Sequence, residues 1–184
     1  TAGNAAFGTA VAVDGIRMGN NASFGNMNGI DTRSIAVANI ESVEVMTGVP
    51  SAEYGDLNSG MVNIHTKKGK TPWEILLAIN PRTEQLSFSK GIDLGNDKGI
   101  VNISGEWAKA TQKLSSPYNS YTRRGFSVGY NNTFQEAFRF NIGFTGNIGG
   151  MNTKDDPDAY TGEYTKVRDN VFRINTSLNW LLNK

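Results

Sequence analysis

The stretch AEYGDLNSGMVNIHTKKGK, from Ala52 to Lys70, separates two parts of the chain that have different residue patterns. It is rich in Gly and Asn, passes through the short apolar run MVNIHT, and ends in a cationic tail. From Trp73 onward, apolar and polar residues alternate with a period of two, which is typical of strands whose two faces meet different surroundings. The stretch therefore divides a mixed part, residues 1–70, from a β-rich part, residues 71–184.

The mixed part combines strand and helix signals. In TAVAVDGIRM, Asp14 and Gly15 lie between two short apolar runs, which predicts a β-hairpin because both residues tolerate positive φ. Asp31 is a possible helix cap ahead of IAVA, and IESVEV then leads into a strand that Gly48 and Pro50 end. MVNIHT reads as one more short strand. We expect a small α+β unit here.

The β-rich part contains six segments with one apolar and one polar face. The segments are WEILLAIN, LSFSKGIDL, GIVNISGEW, FSVGYNN, FRFNIGFTGNI and FRINTSLNWL. Their apolar faces extend over about nine to eleven residues, the length that a tilted strand needs to cross a bilayer, whereas soluble strands average about five to six. A soluble antiparallel sheet with one wet face would give the same alternation, but not this length.

Two further features favour a membrane β-barrel over a soluble sheet. The polar faces carry Asn, Ser, Thr, Gly and Arg with few Lys or Glu, as a water-filled or polar lumen would require. Once the first hairpin, which turns around Pro81-Arg82, is counted as one side, the predicted connections also alternate, with short ones at 95–99 and 132–137 and long ones at 109–123 and 149–170. Outer-membrane barrels have short periplasmic turns and long outside loops, so we assign the short turns to the periplasm.

Composition excludes several functions. The 18 basic and 17 acidic side chains leave a net charge of +1, which gives no broad field for nucleic acid. The chain has no Cys and a single His, so a thiolate or His-rich metal site is not available, and no cofactor is indicated. No nucleophile and base occur at a convincing spacing. We therefore expect a protein that is not an enzyme.

The residues from Ile40 to Gly69, IESVEVMTGVPSAEYGDLNSGMVNIHTKKG, resemble the end of the plug domain of TonB-dependent outer-membrane receptors. VAVDGIRM upstream looks like the strand pair that precedes it in that family. The Ala-Glu-Tyr-Gly form resembles Bacteroidota-type receptors with a carboxypeptidase-regulatory-like extension and, less closely, SusC-like receptors. The positions that match the plug motif are Asp14, Gly15, Glu41, Glu44, Gly48, Tyr54, Gly55, Gly60, Asn63 and Lys67.

The resemblance implies a plugged barrel of about 22 strands in the outer membrane of a Gram-negative bacterium. Residues 1–70 would be the C-terminal part of the plug and residues 71–184 the first barrel strands. Six strands cannot close a barrel, so we expect a fragment of a longer chain. The whole protein would import a ligand with energy from the inner-membrane TonB complex. Siderophore, cobalamin, glycan and peptide remain open as ligands.

An alternative is a receptor-like barrel that has lost transport and serves as a structural subunit of an outer-membrane assembly or secretion complex. Expected partners are the TonB complex, outer-membrane lipid, and a surface lipoprotein or other envelope subunits. Glu41 and Glu44 could pair with lumen-facing Arg139 or Arg173, although solvated charges are the preferred interpretation.

The two predicted outside loops carry the candidate ligand contacts. Aromatic residues there could stack on a substrate; they are Tyr118, Tyr121, Tyr160 and Tyr164. Asp155, Asp156 and Asp158 could hold calcium, but their spacing is not that of an EF-hand, and a solvated acidic loop is favoured.

Overall fold

The structure is a computed structural model that describes residues 10–18, 35–48, 60–113, 116–134, 137–157, 162 and 164–180. The chain divides into two compact units, Thr1–Lys67 and Lys68–Lys184. One unit contains a four-stranded sheet and the other a six-stranded sheet. The division lies close to the stretch at which the sequence pattern changes.

The first unit is built on strands β1 (Ala10–Val13), β2 (Ile16–Arg17), β3 (Ile40–Met46) and β4 (Met61–Thr66). Their order in the sheet is β2-β1-β4-β3, with β1 parallel to β4 and the other two pairs antiparallel. The predicted hairpin is confirmed, since β1 and β2 are joined by Asp14 and Gly15 at φ 52° and 81°. The predicted strand at MVNIHT is β4.

The parallel pair β1 and β4 forms the centre of this sheet and carries buried side chains on both faces. Ala10, Ala12 and Met61 form one buried cluster. Val13, Met18 and Ile64 form the second. Burial on both faces is typical of parallel strands and explains why every residue of β1 is apolar.

The helical part of the predicted α+β unit is not borne out in the described residues. They contain a single turn of 3-10 helix at Val37–Asn39, without a side-chain cap at Ala36, and no α-helix. Asp31, the predicted cap, lies outside the described residues. The β-branched residues that follow in β3 favour an extended chain.

The second unit consists of six antiparallel strands that follow each other in chain order. They are β5 (Thr71–Asn80), β6 (Thr83–Asp93), β7 (Ile100–Lys113), β8 (Ser116–Phe134), β9 (Phe138–Thr153) and β10 (Thr165–Trp180). The prediction of six consecutive strands is confirmed. In the part of the chain that the structure describes, no helix is long and apolar enough to span a membrane.

The strands are longer than predicted: the predicted long connection at 109–123 is mostly strand, and the one at 149–170 is strand at both of its ends. β7 and β8 continue to pair as far as Lys113 and Ser116, so Tyr118 and Tyr121 lie in β8 and not in a loop. β9 likewise extends to Thr153. The prediction was wrong because it followed the apolar alternation, which ends where both faces become polar, whereas backbone pairing needs no apolar side chain.

The six-stranded sheet has one polar and one apolar face. The apolar face is exposed and the polar face is buried, which is the reverse of the arrangement in a soluble protein. On what we call the apolar face, Ile75 is 73% exposed and Ile174 is 70% exposed. On the polar face, Ser87 is 1% and Ser104 is 4% exposed. Soluble proteins bury their apolar face. The register therefore collects apolar side chains on an exposed surface.

Glycines on the apolar face lie beneath aromatic rings of neighbouring strands. Gly105 is directly opposite Phe88, and Gly146 is opposite both Phe126 and Phe172. A Cβ at position 146 would lie 3.0 Å from Cδ1 of Phe172 and still closer to the ring of Phe126. Pairing an aromatic ring with a cross-strand glycine covers backbone that would otherwise be bare.

Substitution Gly146→Val should destabilise the sheet, because the Phe126 and Phe172 rings must move off the backbone that they cover. Overpacking of this kind costs about 1–3 kcal/mol. Gly143→Val is the matched control on the same strand, since nothing lies within 4 Å of a Cβ built there. Thermal unfolding by circular dichroism should show a lower midpoint for Gly146→Val than for Gly143→Val, and equal midpoints would contradict the covering role of the rings.

Candidate functional site: the Asp14 network

The carboxylate of Asp14 joins the β1–β2 turn to the end of β4. Its Oδ1 accepts a hydrogen bond from the Thr66 backbone N–H at 3.0 Å, and its Oδ2 accepts one from the Thr66 hydroxyl at 2.6 Å. The backbone N–H of Asp14 donates to the Ile64 carbonyl at 2.8 Å. Hydrogen bonds to a charged acceptor are stronger than neutral ones, so this turn is held firmly against β4.

Asn63 makes a second link between the same turn and β4. Its Oδ1 accepts a hydrogen bond from the Gly15 N–H at 3.0 Å, and the residue is 4% exposed. Its Nδ2 is 3.4 Å from His65 Nε2, which is 3.3 Å from the Glu44 carboxylate. The line from Gly15 through Asn63 and His65 to Glu44 crosses the sheet from β2 to β3.

Gly60 precedes the start of β4 and Gly48 follows the end of β3, and these two strand ends are paired with each other. Gly60 has φ +102°, and a Cβ there would meet the backbone of Met46 and Thr47, with the Thr47 Cα 3.5 Å away. Gly48 has φ +91°. A side chain at position 60 would therefore force β3 and β4 apart. Tyr54 and Gly55, the remaining central part of the motif, lie outside the described residues.

The charged motif residues lie at the edge of this network. Glu41 is exposed, and Glu44 reaches only the half-exposed His65, which is a weak surface contact. The backbone N–H of Lys67 donates to the Asn39 carbonyl at 2.9 Å and so ties the end of β4 to the start of β3.

Sequence reasoning missed Thr66 and His65 as members of the network. Both belong to the quoted MVNIHT run, but their partners lie far along the chain: Thr66 and Asp14 are 52 positions apart. Only the parallel pairing of β1 with β4 brings them together, and spacing alone does not predict that pairing.

The polar face of the six-stranded sheet carries a second set of polar contacts. Ser104 and Ser127 hydroxyls lie 2.7 Å apart, and Asn131 donates to Asn102 at 3.2 Å. Arg123 forms an ion pair with Glu106, whose side chain is fully buried. Asn141 donates to the Ser177 hydroxyl at 3.0 Å. These cross-strand contacts satisfy polar groups that would be costly to bury alone.

A polar groove of about 510 Å³ lies at the short-turn end of this face. Its lining includes Asp93, Asp97, Asn131 and Arg139. Arg139, a predicted partner for the plug carboxylates, thus points among acidic and amide side chains of its own sheet.

The predicted ligand and calcium residues are only partly described. Tyr164 is 69% exposed just before β10, and Asp155 and Asp156 follow β9. Tyr160 and Asp158 lie outside the described residues. Within the described ranges, no group of three His, Cys, Asp or Glu residues could hold a metal ion. The polar contacts among the described residues bind strands to each other and include no activated nucleophile.

Substitution Thr66→Val should weaken the attachment of the Asp14 turn, because it removes the hydroxyl donor while keeping the side-chain shape. Loss of a hydrogen bond to a charged group costs about 1.5–3 kcal/mol. Hydrogen exchange of the β4 amides should accelerate accordingly. Combining it with Asp14→Asn should cost less than the sum of the two single changes, because both remove the same contact.

Glu41→Gln is the control for this network, because Glu41 is exposed on β3 of the same sheet. It should leave the exchange rates unchanged. Additive effects of Thr66→Val and Asp14→Asn would show that the Asp14 carboxylate does not depend on Thr66.

One family matches the first unit. Residues 3–62 match the family described as TonB-dependent Receptor Plug Domain. The match contains eight of the ten predicted motif positions, and the other two, Asn63 and Lys67, follow it. No curated protein matches the chain.

Solved receptors share the fold of the chain at low sequence identity. The siderophore receptor PirA from Acinetobacter baumannii aligns with a TM-score of 0.64 and 18% identity over 92% of this chain. A mutant of the ferric enterobactin receptor PfeA from Pseudomonas aeruginosa, in complex with enterobactin, aligns at 0.60 and 16% over 78%. The siderophore receptor PiuA from Acinetobacter baumannii aligns at 0.58 and 16% over 79%.

The chain spans between 20% and 29% of the length of these three receptors. The plug match and the structural neighbours are receptors and not enzymes, which supports the expectation of a protein without catalytic activity. Residues 3–62 are thus similar to the plug domain of TonB-dependent receptors, and the chain has the fold of a plug followed by part of a receptor barrel.

Proposed function

We propose that the chain is a fragment of a TonB-dependent receptor that imports a ligand across the outer membrane of a Gram-negative bacterium. The first unit would belong to the plug, and β5–β10 would form part of the barrel wall. The observation that carries the proposal is the exposed apolar face of the six-stranded sheet, which follows a unit that matches the plug family.

The aromatic residues of the apolar face support a membrane position for the sheet. Phe134, Phe138 and Trp180 lie side by side at the short-turn end of β8, β9 and β10. Trp73 of β5 lies next to Lys90 of β6. Lys90 belongs to the register row that ends at Ile174 on β10. Aromatic side chains of the apolar face therefore lie toward the short-turn end on β5 and on β8 to β10, where an interfacial girdle is expected.

The apolar face is long enough to cross the apolar part of an outer membrane. At the strand tilt of about 35–45° that outer-membrane barrels have, the ten residue steps from Phe138 to Ile148 on β9 rise about 24–28 Å, close to the apolar band height of about 25 Å.

The polar face would line the lumen, where buried polar groups meet the plug or water. Its Ser, Asn and Glu–Arg contacts suit that position, because in lipid they would have no polar neighbour beyond the sheet. The Asp14 network would keep the plug sheet folded while the TonB complex pulls on the plug. These roles, and the motif residues as parts of the gate, are parts of the proposal.

Ferric siderophores are the first ligand class to test, because the similar solved structures are siderophore receptors. Cobalamin, glycans and peptides are the comparison ligands. Tyr118, Tyr121, Tyr160 and Tyr164 stay the proposed ligand contacts at the long-hairpin end. The Ala52–Gly55 motif supports a Bacteroidota-type receptor, with a surface lipoprotein as a partner, and this assignment is part of the proposal.

Uptake of radiolabelled ferric siderophore should require both the full-length protein that contains this chain and an intact TonB complex. We expect uptake to fall to the background level when either gene is deleted, since a plugged barrel passes ligand only when the plug is moved. The other three ligand classes are measured in the same strains.

A protein that is in the outer membrane and transports none of the four classes would contradict the import proposal. The structural-subunit alternative would then be favoured, and co-purification with an envelope complex would identify it. Uptake that persists without TonB would instead indicate a passive channel.

A further inference from the structure

The start of β5 is less well paired with β6 than the rest of the strand. Thr71 pairs with Gly91, but the next pair is Glu74 with Ser89, and the register shifts between the two pairs. Pro72 lies in this irregular stretch and has no backbone N–H to donate to the ladder. A strand end that has a single pair before an irregularity opens more readily than a continuous ladder does.

A side chain of β7 holds the chain just before this weak end. Nδ2 of Asn102 donates a hydrogen bond to the Gly69 carbonyl at 2.8 Å, and Asn102 is only 5% exposed. Asn131 of β8 donates in turn to Oδ1 of Asn102 at 3.2 Å, which keeps the Asn102 amide directed at Gly69. The Gly69 carbonyl is therefore fastened to strands that lie beyond β6.

Gly91 of β6 leaves the space in which this contact is made. Gly91 is the register partner of Thr71 on one side and of Asn102 on the other. A Cβ at position 91 would overlap the Gly69 carbonyl oxygen and would lie 2.6 Å from the Thr71 nitrogen and 2.8 Å from Nδ2 of Asn102. The absence of a side chain at this position lets Asn102 reach Gly69 across β6.

The chain that joins the two sheets has little slack. At its start, the Lys67 N–H donates to the Asn39 carbonyl of the first unit. At its end, Asn102 holds the Gly69 carbonyl within the second unit. Lys68 alone separates the two held residues. A pull on the first unit therefore reaches Gly69 through one residue.

We propose that the hydrogen bond from Asn102 to Gly69 is a strap that keeps the start of β5 closed on β6 while the plug is pulled. The inference rests on the proposed function, in which the TonB complex pulls on the plug. The strap takes the load before the ladder does, because Gly69 precedes Thr71 along the chain. Without the strap, the load would act directly on the single pair of Thr71 with Gly91.

The test measures how fast a thiol at position 71 reacts with a water-soluble maleimide in the full-length protein that contains this chain, reconstituted in bilayers. Thr71→Cys suits this purpose because the Thr71 side-chain oxygen is buried, so a thiol there should react when the start of β5 opens. The protein without this substitution gives the background. In the Thr71→Cys protein, Asn102→Leu should speed the reaction about two- to tenfold, because it removes the donor to Gly69.

Asn141→Leu is the matched control, because Asn141 lies on the same polar face and donates to the Ser177 hydroxyl. It should leave the reaction rate unchanged. Gly91→Ala should speed the reaction with Asn102 intact, because the added methyl group displaces Gly69. Heat-modifiable electrophoretic mobility checks that each variant forms a barrel.

Equal reaction rates in the protein with the strap and in the Asn102→Leu variant would overturn the proposal. Equal acceleration by Asn141→Leu would also overturn it, since a general loosening of the polar face would then explain the effect.

Labelling in cells with and without the TonB complex tests whether the strap bears load. The Asn102→Leu variant should react faster when the TonB complex is present, whereas the protein with the strap should react equally slowly in both strains. The same rate for Asn102→Leu in both strains, in a protein whose uptake of any of the four ligand classes requires TonB, would overturn the strap alone. A protein that transports none of these classes would overturn the proposed function, and the strap's load with it.

Discussion

The register of the six-stranded sheet is the constraint on which the rest of the structure depends. Every antiparallel pair from β5 to β10 is aligned so that apolar residues meet apolar residues on one face. A shift of one residue in any pair would move a whole set of side chains to the other face. The exposed apolar face and its row of aromatic residues at the short-turn end follow from this alignment.

The same register organises the polar face. Ser104 meets Ser127, and Glu106 lies within reach of Arg123 because β7 and β8 pair without a shift over this length. Burying an ion pair is not stabilising by itself, since desolvation offsets much of the attraction. Its consequence is specificity: breaking the register would leave a buried Glu106 without its cation.

The four-stranded sheet uses polar contacts in another way. Its core is made of small clusters around Ala12 and Ile64, and little apolar area is available there. Asp14 and Asn63 therefore contribute through hydrogen bonds between a turn and a distant strand. Of the motif residues that the structure describes, Asp14, Gly15, Gly60, Asn63 and Lys67 hold this small sheet together, whereas Glu41 and Glu44 lie at its exposed edge.

Local patterns predicted most of the fold. The Asp14–Gly15 hairpin, β4 and the six alternating strands follow from turn chemistry and a period of two. The ends of β7, β8 and β9 could not be predicted in this way, because paired strands continue where both faces are polar. Local sequence patterns also could not predict the contact of Asp14 with Thr66, because it depends on the parallel pairing of β1 with β4.

The central claim is that the apolar face of the sheet contacts lipid, and oxygen accessibility of spin labels along β9 tests it most directly. The chain contains no Cys, so single cysteines can be introduced at Phe140, Ile142 and Phe144 and at Asn141, Gly143 and Thr145. In the full-length protein in bilayers, the account predicts high oxygen accessibility at the first three positions and low accessibility at the other three. A flat profile, or maxima at Asn141, Gly143 and Thr145, would contradict it.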